Sequence, residues 1–168
     1  MAPGELAVCD SNFLSVANVT GNSRQNDATD ALVTVTQVKV TLQLNITIWV
    51  PNDATQHIIE HEQGHREISE FYYQTADKIA QQIAAKYLGR QFQVSGADLN
   101  SAIDKALQQM GAEITQEYDK ELNPEPAQER YETLTNHGSN DVDAKDAVSQ
   151  VLNNATVSPN APATIPKN

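Results

Sequence analysis

From Val38 to Val50 apolar and polar residues alternate without interruption, with Val38, Val40, Leu42, Leu44, Ile46, Ile48 and Val50 set against Lys39, Thr41, Gln43, Asn45 and Thr47. Successive side chains of a strand point to opposite faces, so a period of two over so long a run demands a half-buried strand, or two strands in register. Upstream, Val33 and Val35 carry the apolar positions on the other parity, which predicts a bulge or turn near Thr36-Gln37. Trp49 interrupts the polar face and is expected to cover the edge of the core rather than to stack on a ligand. Before this strand, Phe13 to Val19 is a shorter β-like run, and Thr20-Gly21-Asn22-Ser23 opens a turn-rich polar stretch that reaches Asp30.

Pro51-Asn52-Asp53 stops the strand and offers Asn52 or Asp53 as the cap of a helix. A helical pattern follows from about Ala54 to Leu88, with Gly89 as its C-terminal stop. At 100° per residue, Ile58, Glu62, His65, Ser69, Tyr72, Ala76, Ile79, Ala80, Ile83 and Tyr87 form one stripe, with His61 on its shoulder. Gly64 costs about 1 kcal/mol against Ala inside a helix, so the close approach of another backbone is expected there.

A connector from Arg90 to Gly96 leads to a second helix, about Asp98 to Tyr118, whose stripe of Leu99, Ile103, Ala106, Leu107, Met110 and Ile114 runs on to Glu117. The short connection predicts an antiparallel helical hairpin, in which residues near 118 to 121 return to the level of His65. Leu122 to Pro126 breaks the pattern, a short helix is expected over Ala127 to Leu134, and a last one over Asp141 to Leu152. Residues 1–155 are thus expected to form a single domain, and 156–168, with three prolines and little to bury, a disordered tail.

A net charge of −11 and a pI near 4.6 argue against binding a phosphate backbone, which needs clustered Lys and Arg. No run approaches the roughly 18 apolar residues of a bilayer span, and Met1-Ala2-Pro3-Gly4 does not read as a signal peptide. The single Cys9 excludes an intramolecular disulfide and a cysteine-based zinc knuckle, leaving His and carboxylate as metal ligands. The chain is expected to be a monomer without nucleic-acid partners.

The chemistry concentrates in His61-Glu62-Gln63-Gly64-His65, an instance of H-E-x-x-H. On a helix the four-residue spacing stacks His61 and His65 on one face, where both imidazoles can converge on one tetrahedral Zn²⁺. Glu62 points to the adjoining part of that face, where it can reach a metal-activated water without being a ligand. Two accidental histidines are the bland alternative, but buried imidazoles without partners would be costly. His57 shares the face yet lies about 12 Å from His65 along the axis, too far to join the same ion, and is expected to be solvated or capping. Ile68 and Phe71 stand where the longer metzincin pattern requires Gly and His, which excludes that form. For the third ligand, His137, in a turn with Gly138, is the first choice. Glu117, a carboxylate ending an apolar stripe, is the alternative, as ligand or as a hydrogen-bond acceptor behind one.

The β-run ending at Pro51, the His61 to His65 motif, and Tyr131-Glu132-x-x-Thr135-x-His137-Gly138 together resemble a bacterial family of predicted secreted zinc-dependent proteases, largely described as a domain of unknown function. The likeness covers roughly residues 38 to 140, with Glu132 where the family usually has Asp. It implies an α+β, zincin-like fold: an antiparallel sheet whose edge strand packs on a long H-E-x-x-H helix, followed by a helical hairpin. It also implies one zinc, His137 as third ligand, and export across the inner membrane to the periplasm or beyond. The expected reaction is peptide hydrolysis by zinc-activated water, with Glu62 as general base and Tyr131 as a candidate oxyanion stabiliser. Some part of Val38 to Val50 is expected to pair with extended substrate. A zinc-binding scaffold without turnover and a zinc amidase acting on cell-wall peptides are the competing classes.

Overall fold

The computed structural model describes residues 7–157, with side chains to residue 154; of the expected tail, 156–157 belong to the last helix and 158–168 lie outside the described residues. The fold is α+β, with a three-stranded sheet in the order β1-β2-β3 and five helices among the described residues. β1 (Val8–Gln25) and β2 (Asp30–Trp49) form a long hairpin, β3 (Gln91–Ser95) adds to β2, and α1 (Gln56–Tyr73), α2 (Ala76–Tyr87), α3 (Leu99–Glu121), α4 (Glu125–Thr135) and α5 (Ala144–Val157) make up the rest.

β2 follows its alternation closely. Val33 and Val35 are buried, Thr36 and Gln37 are both exposed, and the inward positions resume at Val38 on the opposite parity, where the sequence predicts the bulge. β1 is much longer than Phe13 to Val19, and the expected turn at Thr20 to Ser23 is strand. Gly21 is needed there for space: a Cβ would lie 2.8 Å from the Thr34 carbonyl oxygen. The chain instead turns at residues 26–29, where Asp27 accepts from the Thr29 N–H at 2.8 Å and the Asn26 N–H donates to the Asp30 carbonyl. Trp49 is 59% exposed, so it does not cover the core edge; it falls on the outward parity of β2.

The connector Arg90 to Gly96 holds β3, antiparallel to β2 with Asp30 opposite Ser95 and Thr34 opposite Gln91. Its alternation, Phe92 and Val94 inward, is only five residues long and hides between two helices. The expected single helix from Ala54 to Leu88 divides at residues 74–75, because the Thr75 hydroxyl and N–H both donate to the Tyr72 carbonyl, at 2.8 and 3.0 Å, and close a turn there. α1 begins after Thr55, whose hydroxyl accepts from the Ile58 N–H at 3.3 Å, rather than at Asn52 or Asp53. Gly89, at φ 80°, stops α2 as expected, and Asp98 caps α3 by accepting from the Ser101 N–H.

The described chain divides into two compact units. One comprises residues 7–11, 46–71 and 124–157; the other comprises 12–45 and 72–123. The core of the second joins Ala76, Ala80, Ile83 and Tyr87 of α2 to Ile114 and Tyr118 of α3, with Phe13, Val19, Val38 and Val40 of the sheet packed against them. Ile114, on the expected inward stripe, is 0% exposed, and Tyr118, which lies outside that stripe, is 2% exposed. In the first unit α4 and α5 pack together, and Ile68 of α1, Tyr131 of α4 and Ala147 of α5 are all fully buried. No helix among the described residues is long and apolar enough to cross a membrane.

Candidate metal centre

α1 carries the H-E-x-x-H motif inward: His61, Glu62, Gly64, Ile68 and Ser69 are buried, and His65 is 13% exposed at its side chain. Gly64 and Ile68 lie outside the projected stripe, so the covered face is wider than the periodicity suggests. Tyr131 explains Gly64. A Cβ at Gly64 would sit 2.1 Å from the Tyr131 hydroxyl oxygen, so the close approach is made by an aromatic side chain and not by another backbone. Tyr131 stacks on His61 with ring centroids 5.1 Å apart and meets His65 edge-on at 4.8 Å. Its hydroxyl donates to the His61 carbonyl at 3.0 Å, and burial pushes its pKa far above the usual phenol value. A hydroxyl so engaged clamps α4 to α1.

The two imidazoles meet through their Nε2 atoms, 3.2 Å apart, and α4 delivers a carboxylate to the same point: Glu132 Oε1 lies 3.0 Å from His65 Nε2, and Oε2 lies 3.7 Å from His61 Nε2. One ligand atom from each of His61, His65 and Glu132 falls within 4.8 Å of the others. Zinc–ligand bonds of 2.0–2.1 Å in a tetrahedron put neighbouring donors roughly 3.3 Å apart, close to these separations. Glu132 Oε2 is also shielded from solvent and, although His137 Nδ1 lies 2.9 Å away, makes no well-directed hydrogen bond, a state that a facing cation would relieve. Two imidazoles and one carboxylate are a zinc donor set that leaves a fourth position open. The residues present therefore fit the metal.

His137 stands on the Glu132 side of the group. It is 78% exposed, and its Nδ1 lies 2.9 Å from Glu132 Oε2, so it addresses the carboxylate that joins the histidines. The turn that holds it is strained: Asn136, His137 and Gly138 are all left-handed, at φ 47°, 55° and 69°. Gly138 has no room for a side chain, since a Cβ there would lie 3.0 Å from His61 Cγ. Glu117 belongs to the other unit, where Lys86 Nζ and the Tyr87 hydroxyl donate to its two oxygens at 2.5 and 3.1 Å; the Lys86 bond holds its carboxyl below the usual range. His57 is only partly exposed, and its Nε2 is buried without a hydrogen bond, so that end of the ring is not solvated.

Burial, and then the neighbouring His65, bring the His61 pKa down to about 4, which keeps that ring neutral and able to ligate. Burial also pulls on His65, but hydrogen bonds with Glu132 and Gln128 and the Glu132 charge outweigh it, and its pKa rises. The same hydrogen bond from His65 lowers the Glu132 carboxyl. The histidines and Glu132 line a pocket of about 490 Å³ together with Glu62, Ile58, His137, Gly138 and the residues Ala7, Val8 and Cys9. The strand on this pocket is the start of β1, where the sequence points to β2.

Compared with known proteins, the chain matches no protein family, no curated protein and no solved structure. The site must be read from its own geometry. Glu132 is the residue sequence reasoning missed: its signal is its position next to Tyr131, on the helix face that packs against the motif. Gln128, one turn earlier, was equally silent.

Proposed function

We propose that this chain is a zinc-dependent peptidase whose metal is held by His61, His65 and Glu132, with Glu62 as general base. The observation that carries this reading is the convergence of three donor atoms within 4.8 Å beside a carboxylate that lines the same pocket. When bound, zinc supplies Lewis acidity, which eases the loss of a proton from water and polarises a carbonyl.

The chain's own residues do the rest. Glu62, only 6% exposed, accepts the proton that water loses as its oxygen attacks the carbonyl carbon, and returns it to the amine as the C–N bond breaks. His137 faces the pocket on the Glu132 side and holds that carboxylate in place. Extended substrate lies along the start of β1, where Val8 and Cys9 line the pocket. Export to the periplasm or beyond is part of the same reading, through the family resemblance of the two motifs.

Glu62→Gln tests it. The variant keeps one zinc per chain and loses cleavage of a peptide library by about 10²-fold or more. Zinc binding without cleavage by the wild-type protein, on proteins, peptides and muropeptides alike, would point to a non-catalytic zinc protein. Cleavage restricted to muropeptides would point to a cell-wall amidase.

A further inference from the structure

A metal ligand needs its lone pair on the nitrogen that faces the ion, so one of the two ring nitrogens of His65 must carry the proton elsewhere. Gln128 of α4 decides which. An amide side chain offers two N–H donors at one end and a carbonyl acceptor at the other, and its orientation follows from its partners. Gln128 Nε2 lies 3.0 Å from the His65 carbonyl oxygen, which can only accept, and 3.0 Å from Ser69 Oγ. The nitrogen end is thereby assigned, and Oε1 is the atom 2.7 Å from His65 Nδ1. A carbonyl oxygen at that distance requires a proton on Nδ1.

Resting on the metal reading above, we infer that Gln128 is a positioning residue that keeps a proton on His65 Nδ1 when Nε2 gives up its own proton to a metal. The nitrogen that faces the ion is the one 3.2 Å from His61 Nε2 and 3.0 Å from Glu132 Oε1, at the point where the donors converge; in the metal-free protein it donates to that carboxylate. Gln128 is itself locked. Ser69 is fully buried, its hydroxyl lies 2.9 Å from Ser11 Oγ, and it accepts from Gln128 Nε2, so the amide cannot turn over without losing both of its donor contacts. Its side chain contacts His65, the His65 backbone and Ser69 at once, which fixes the ring against α1 as well as its proton.

The test is long-range ¹H–¹⁵N NMR of the zinc-loaded protein, paired with zinc titration against a chromophoric chelator. The wild-type protein shows His65 protonated at Nδ1. Gln128→Leu, which keeps the bulk but offers no acceptor, loses the slowly exchanging, hydrogen-bonded Nδ1 proton and binds zinc roughly 10–100-fold more weakly. Gln128→Glu, which restores an acceptor at the same place, keeps the Nδ1–H form and binds zinc within about threefold of wild type. Circular dichroism of both variants establishes that they are folded, and Gln128→Glu carries the test if Gln128→Leu is not. An Nε2–H ring in the wild-type protein, zinc affinity unchanged in folded Gln128→Leu, or loss of the Nδ1–H form in folded Gln128→Glu would overturn the inference. Failure of the wild-type protein to bind zinc would overturn the metal reading and the inference with it, whereas zinc binding with an Nε2–H ring would overturn the inference alone.

Discussion

The Tyr131 hydroxyl donates to the His61 carbonyl at 3.0 Å while its ring stacks on the His61 imidazole, so one side chain of α4 fixes both the backbone and the ring of a motif histidine. Tyr131→Phe keeps the ring and removes one buried hydrogen bond, which costs about 1 kcal/mol in urea unfolding. Zinc content is unchanged and peptide cleavage falls less than tenfold. A loss of cleavage of about 10²-fold or more, with zinc retained, would instead give the hydroxyl a direct part in stabilising an oxyanion.

Gly64→Ala sets two effects against each other. Alanine gains about 1 kcal/mol of helix propensity over glycine. Its Cβ would stand 2.1 Å from the Tyr131 hydroxyl oxygen, in a buried contact where overpacking costs roughly 1–3 kcal/mol or more. The clash wins: the variant is less stable in urea unfolding, and the shifted ring weakens zinc binding. A variant more stable than the wild type would mean that Tyr131 can leave its place without cost.

Local pattern made some of this legible from the sequence and tertiary placement hid the rest. The alternation of β2, the bulge at Thr36-Gln37, the stop at Gly89 and the inward turn of the H-E-x-x-H face are all written in neighbouring residues. The third donor was not, because Glu132 reaches the histidines only through the packing of α4 on α1, and periodicity carries no distance between helices. His137 drew attention as the remaining downstream histidine beside a glycine. Gly138 is there to clear the His61 ring, and the strained turn brings His137 to the carboxylate. Thr75 split one helical pattern into two through side-chain and backbone hydrogen bonds to a carbonyl three residues back, a choice that propensity does not resolve.

The charges at the site predict a proton count. In the metal-free protein the raised His65 pKa contributes stability that is complete below its ordinary value of 6.5 and is lost as pH rises through the higher folded value. The lowered Glu132 carboxyl contributes stability that is present above its ordinary 4.5 and is lost as pH falls through the lower folded value. The pair thus supports the metal-free fold most between about 4.5 and 6.5. His61 acts in the opposite sense, costing stability as pH falls from 6.5 towards its folded value of about 4. Zinc must displace the proton on His65 but finds His61 already neutral. Calorimetry at pH 6 in buffers of different ionisation enthalpy is expected to give about one proton released per zinc. None would mean that His65 is neutral before binding, and two would mean that His61 is not.

Ile114 is fully buried where α2 and α3 meet. Ile114→Ala removes its methyl groups and leaves a cavity, at a cost of roughly 2–5 kcal/mol, read as a lowered urea midpoint with an unchanged slope. A loss below about 1 kcal/mol would mean that the core of this unit collapses around the gap.

Elemental analysis of the purified protein beside Glu132→Ala, His137→Ala and Glu117→Ala tests the three-donor centre most directly. The account predicts one zinc per chain in the wild type, loss of zinc in Glu132→Ala, and retained zinc in His137→Ala and Glu117→Ala. Full zinc occupancy in Glu132→Ala, or its loss in His137→Ala with the fold intact, would contradict it.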